Sequence, residues 1–225
     1  MIRLINLIVL ISFSLVSFAQ VKCACPTDIM DMEERTGTKA DKLFSFSNGK
    51  TLGMCGFEDI AGADTTYTET VLFECNSRTK IASWGALQIC RVKKYADTIL
   101  ITELFNLPLG DKFNYIYAPF KDTRLYYVNG KIKQTSSLKS LRKYSSTEID
   151  ECLKEYKKLK KGNLEHNVEV ADMLFCAYLS GSKIAEQYYL SIPKKFGPFD
   201  GEVAESWDFT WELYLSYKNK LPKSD

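Results

Sequence analysis

Three kinds of hydrophobic patterning follow one another along the chain. From Leu4 to Ala19 the positions are apolar almost without a break, with Asn6 and three serines as the polar interruptions. From about Leu43 to Lys133, short runs rich in Val, Ile, Thr, Tyr and Phe are separated by Asp, Asn and Gly, the pattern of strands and turns. Beyond about Thr147, apolar residues recur every three or four positions, the period of amphipathic helices.

The strand region carries two hairpin signals. "KLFSFSNGKTLGMCGF" places Asn48-Gly49 between apolar-containing runs, and "LYYVNGKIK" repeats the device at Asn129-Gly130. Asn-Gly readily supplies the positive φ angles of a two-residue hairpin turn. With "YTETVLFEC", "KIASWGALQICRV", "TILITELF" and "FNYIY" between them, six to eight strands are expected in an antiparallel sheet, as a sandwich or half-barrel.

The segment "QTSSLKSLRKYSS" is polar and serine-rich, and reads as a connector. Ser145 and Glu148 then form a capping-box signature for a helix start. Four helices are expected, at about 147–161, 167–180, 182–191 and 201–219, with breaks at Gly162, Gly181 and "PKKFGPFDG". The fold class is therefore α+β. A β-rich module over 20–134 and a connector over 135–146 precede a helical module over 147–225. In the last helix, Val203, Trp207, Trp211 and Tyr214 share one face at 100° per residue, while Glu205, Asp208 and Glu212 form a separate stripe. Trp207, Trp211 and Tyr214 are accordingly core candidates.

The apolar start fits a signal peptide over 1–19: Arg3 is the early charge, and Ser17-Phe18-Ala19 is a small-x-small cleavage site. The mature chain then begins at Gln20, and no later apolar run reaches the ~20 residues of a membrane span. Gln20-Val21-Lys22 before Cys23 does not fit lipid attachment. Export changes the reading of the seven cysteines, which become disulfide candidates: Cys23, Cys25, Cys55, Cys75, Cys90, Cys152 and Cys176. Cys23 and Cys25 are too close along the chain to close on each other without strain. Each is expected to reach a separate partner among Cys55, Cys75 and Cys90, stapling the new N-terminus to the body. An odd count leaves one over; Cys176 is either that thiol or a partner of Cys152 across two helices. No Asn-x-Ser/Thr sequon occurs, which favours a bacterial periplasm or exterior over a eukaryotic secretory route.

Charge adds exclusions. Thirty basic against twenty-eight acidic residues leave +2, not the strong positive balance of a broad nucleic-acid binder. A single histidine, His166, rules out zinc sites built on several histidines. Any Ser-His-Asp or Cys-His system would have to use it, yet Cys176 lies ten residues further along the same helix, ~15 Å of axial rise away. Asp172 and Glu169 sit one and two turns before Cys176 and would raise its thiol pKa. The lysines of "LKEYKKLKKG" share their helix with Glu148, Asp150, Glu151 and Glu155 and read as a solvated face. Acidic residues at 28–34 lack the spacing of a calcium loop. No phosphate-binding glycine loop or nucleophile elbow occurs.

No catalytic, metal or cofactor set emerges. The expected function is a non-catalytic binding or inhibitor-type module of the cell envelope or exterior, whose partner is a protein or saccharide the residues do not identify. The alternative is a polysaccharide hydrolase built on carboxylates that only the fold would bring together. Thiol chemistry at Cys23-Ala24-Cys25 is a third reading, less favoured than a staple.

Overall fold

The computed structural model describes residues 23–26, 38–61, 64–109 and 114–220. The leader expected over 1–19 and the acidic stretch at 28–34 lie outside them. Eight strands precede four helices: β1 (Lys42–Ser45), β2 (Thr51–Ala61), β3 (Asp64–Glu74), β4 (Lys80–Trp84), β5 (Ile89–Tyr95), β6 (Thr98–Leu109), β7 (Asn114–Val128) and β8 (Lys131–Leu138), then α1 (Ser146–Lys158), α2 (Leu164–Leu179), α3 (Lys183–Phe196) and α4 (Gly201–Lys218). The strands form one antiparallel sheet in the order β1-β2-β3-β5-β6-β7-β8, with β4 also on β3. Among the described residues, no helix is long and apolar enough to cross a membrane.

The expected connector is partly strand. β8 runs to Leu138 and pairs with β7 from Val128↔Lys131 to Lys121↔Leu138. It is the last strand of the sheet, exposed along most of its length, so its polar residues satisfy an edge strand as well as they would a loop. The Asn129-Gly130 turn has φ of 50° and 73°, the two positive values that a type I′ hairpin requires. The third helix is also longer than expected. It continues through Pro193 to Phe196 and stops at Gly197, where a Cβ would meet the Pro193 carbonyl oxygen at 2.5 Å.

The chain divides into two compact units, Met1–Cys55 with Val71–Ser83, and Gly56–Thr70 with Trp84–Asp225. β2 and β3 each contribute to both units. In the first unit, the strand-like segment around Cys23 is tied down by backbone bonds from Cys25 N to Thr38 O (2.8 Å) and from Ala40 N to Cys23 O (3.0 Å). Disulfides join Cys23 to Cys75 and Cys25 to Cys55. With Ala40, Val71 and Phe73 they form the small core of this unit. Gly53 has no room for a side chain, since a Cβ would lie 2.5 Å from both Cys23 Sγ and the Phe73 ring.

In the second unit, Phe105, Leu107, Ala118 and Phe120 from the sheet share one core with the helices. α2 lies at its centre, with nine buried residues from Asn167 to Ala177, which explains an apolar pattern that runs nearly all round it. Ser145 and Glu148 cap α1 reciprocally, and the Ser182 hydroxyl accepts from Ala185 N–H at the start of α3. Tyr217 of α4 donates its hydroxyl to the Lys139 carbonyl at 2.6 Å, fixing that helix to the chain just after β8.

Candidate functional site

The sheet registers bring a row of side chains together from four strands. Leu138 opposes Lys121, Lys121 opposes Glu103, and Glu103 opposes Cys90. Directly opposed residues of antiparallel strands lie on the same face of a sheet. The β6–β7 register shifts after Glu103, so that Phe120 is an extra residue and joins Lys121 at this place. Phe209, Glu212, Leu213 and Ser216 of α4 face them, and the result is a cleft of about 360 Å³. Gln88, Ser136, Ser137 and Lys220 complete its walls. The volume falls within the ordinary range for small-molecule sites.

Glu103 is the unexpected member. It is 3 % exposed, a carboxylate on a strand that otherwise reads as core. Lys121 Nζ lies 2.8 Å from its Oε1, an ion contact rather than a directed hydrogen bond, and supplies the countercharge that burial demands. Burial pushes the neighbouring Cys90 thiol up to about 12; a hydrogen bond with Thr70 opposes the shift and Glu103 adds to it. Glu212, by contrast, is exposed at the cleft wall. Apolar rings, hydroxyls and an already neutralised acid make this a place to hold a ligand with both apolar and hydrogen-bonding faces.

A second group of titratable side chains gathers around Asp172 on α2. Burial raises its carboxyl to about 7, against a 2.6 Å hydrogen bond donated by Thr210, and Glu169 one turn earlier raises it further. Its residue keeps a minor part of its surface open, but the carboxyl itself sits between helices. Burial also raises the Tyr115 and Tyr189 hydroxyls, with Asp172 contributing to both. The Tyr189 hydroxyl is buried and meets no hydrogen-bond partner among the described residues.

The other candidates fall as follows. His166 is half-buried, with Nδ1 3.4 Å from Glu169 Oε2. Cys176 lies within the same helix, its thiol raised well above the ordinary value by burial and by Asp172. Cys90, Cys152 and Cys176 are all buried free thiols. The single leftover cysteine is thus corrected to three, and no bridge joins Cys152 to Cys176. Burial pushes Cys152 up to about 12, so that burial opposes the thiolate form in all three. Cys23 and Cys25 are bridged, to Cys75 and Cys55. Trp207 and Tyr214 are buried and Trp211 partly so; all three rings lie against Tyr189, the tryptophans stacked at 5.0 and 6.2 Å between centroids. They are therefore engaged in the helical core.

Compared with known protein families, with curated proteins and with solved structures, the chain matches none. Function has to be argued from the cleft itself.

Sequence reasoning missed that cleft for a definable reason. Glu103 stands in "TILITELF" as one polar position of an otherwise ordinary strand, and Lys121 is far from it in the chain. Only the pairing register brings them together. Glu212 was visible, but as one of several exposed helical acids.

Proposed function

We propose that the chain is an exported, disulfide-stabilised binding module that holds a saccharide or a segment of a partner protein in the α4 cleft without transforming it. The observation that carries this reading is the state of Glu103. The buried carboxylate is engaged by Lys121, and Phe120 and Phe209 line the same cleft, so the site offers apolar contact and hydrogen bonds around a fixed charge pair. Two disulfides stapling the N-terminal segment support an oxidising destination.

The second reading, a carboxylate hydrolase, is favoured by one fact: Glu103 and Glu212 share the cleft. Against it, glycosidic chemistry needs two available carboxyl groups, and Lys121 already occupies one. The two readings separate in one experiment. Oligosaccharides and extended peptides are titrated calorimetrically into the protein from Gln20 on, while product release is followed in parallel. Binding without turnover that is abolished by Ser216→Trp, which fills the cleft from an exposed position, is the expected result. Turnover that disappears in Glu212→Gln would replace the binder with the hydrolase. Saturable binding left unchanged by Ser216→Trp would remove the cleft from the argument.

A further inference from the structure

The opposite face of the same strands has a different chemistry. Three successive rows cross β5, β6, β7 and β8: Arg91–Thr102–Asp122–Ser137, Lys93–Leu100–Arg124–Thr135 and Tyr95–Thr98–Tyr126–Lys133. Lys131 follows beside Val128. The alternate rows carry Val92 with Ile101, and Ile99 with Leu125, all buried. Side chains alternate between faces along a strand, so burial of those rows turns the second and third outward, while Asp122 in the first is itself buried. Lys93, Arg124, Lys131, Lys133 and Thr135 are indeed exposed, and Tyr95 is 58 % exposed.

These three rows, with Lys131, hold the exposed cations Arg124, Lys131 and Lys133, together with Arg91 and Lys93, which have partners of their own, and one carboxylate. That carboxylate, Asp122, is already engaged: Lys139 Nζ lies 3.0 Å from Oδ2, and the Thr102 hydroxyl donates to Oδ1 at 2.8 Å. Asp97 stands at the rim, in the β5–β6 turn. What remains is a positive sheet face with Tyr95 and Tyr126 set among threonine and serine hydroxyls. Neighbouring strands lie ~4.8 Å apart and same-face residues ~7 Å apart along a strand, so the cations are spread over a flat area instead of converging on one point.

We propose that this face binds an acidic polysaccharide, with the cations pairing its carboxylates or sulfates, the tyrosines lying against sugar rings and the hydroxyls hydrogen-bonding to the chain. Distributed cations suit a linear polyanion better than a single small anion, which needs convergent donors. A nucleic acid would share the charge and the stacking, but its binders carry a strong overall positive balance, with a domain pI above ~9. Here the chain has a pI near 8.0 and a net charge of only +2, and its disulfides suit an oxidising compartment. Ser137 borders both this face and the α4 cleft, but none of the face's cations lines the cleft.

The test uses the disulfide-intact protein from Gln20 on. Labelled heparin oligomers, oligogalacturonate, neutral dextran oligomers and oligo-dT of matched charge are titrated at low and moderate salt, read by anisotropy. At least one acidic glycan is expected to bind more tightly than oligo-dT and dextran, and to weaken as salt rises. Arg124→Ser/Lys131→Ser/Lys133→Ser, all at exposed positions, should lose tenfold or more in affinity. Lys154→Ser/Lys157→Ser/Lys161→Ser, which removes the same charge on and just after α1, should stay within twofold of the parent. Equal losses in both triple variants would reduce the effect to net charge and overturn the proposal. So would unchanged affinity in the first variant, no binding of either acidic glycan at low salt, or tighter binding of oligo-dT.

Discussion

Asp172 shows what a single residue can do to this fold. Its carboxyl, ordinarily near 3.8, is raised to about 7 by burial, against the hydrogen bond that Thr210 donates to it. Below pH ~4 the folded and unfolded chains are both protonated there, and the residue has no effect on the pH slope. Between about 4 and 7 the unfolded chain releases a proton that the folded chain keeps, so this residue makes stability fall as pH rises. Above 7 the penalty is constant. Of the groups around it, Glu169 on its own helix deepens the effect, while the Tyr115 and Tyr189 hydroxyls from β7 and α3 and the Cys176 thiol one turn on stay uncharged across this range and leave the slope unchanged. Asp172→Asn keeps an acceptor for Thr210 and removes the charge. In urea titrations, the variant's midpoint should rise relative to the parent as pH goes from 4.5 to 8. A constant difference between the two proteins across that range would show that Asp172 titrates normally. The position of Asp172 one turn before Cys176 was visible in the sequence. Its neighbours Thr210 and Tyr115 were not, because they arrive from α4 and β7.

At the scale of elements, local signals were read well wherever the chain solves its problem with near neighbours. The Ser145–Glu148 capping box is an instance. Burial would raise the Glu148 carboxyl, but bonds from the Ser145 N–H and hydroxyl, together with Arg142, hold it below its ordinary value. The Ser145 hydroxyl in turn accepts from Glu148 N–H. Ser145→Ala should lower stability by ~1 kcal/mol, measured by denaturant unfolding at pH 7. Since the cap also holds Glu148, the loss should shrink as pH falls through the carboxylate range; a loss that stays constant down to pH 3 would mean the hydroxyl acts alone. Where elements depend on distant partners, the sequence was silent or misleading. The second half of β8 reads as connector because its serines pack against no core, and only pairing with β7 extends the strand to Leu138. α3 passes Pro193 although proline removes an N–H from the ladder. The cleft and the cationic face are both products of register. A slip of one residue in β7 would exchange Lys121 for Asp122 and dissolve each of them.

For the whole molecule, the sequence suggested a linear division, sheet first and helices second, and that order is what the chain follows. The compact units do not, because strands β2 and β3 belong to both and no cut in the sequence separates them. The cysteines follow the same division. Both bridges lie in the first unit, whose core is small and built around the bridged sulfurs themselves. The second unit contains the three free thiols, two of which, Cys152 and Cys176, lie inside its much larger apolar core. A small core needs covalent help, and in the chain-entropy account loops of 52 and 30 residues each supply ~4 kcal/mol. The 25–55 loop is nested inside 23–75, so either bridge should cost less to break while the other is intact than after the other has been broken. Reduction should therefore act locally. Hydrogen exchange with and without reductant should show protection lost across 38–55 and 71–83, while amides of α2 and β6 exchange as before. Cys25→Ser/Cys55→Ser should reproduce part of that loss without reductant. Uniform loss of protection in α2 as well would mean that the helical core, despite its size, depends on the staples, and the division of labour between covalent and apolar stabilisation would have to be abandoned.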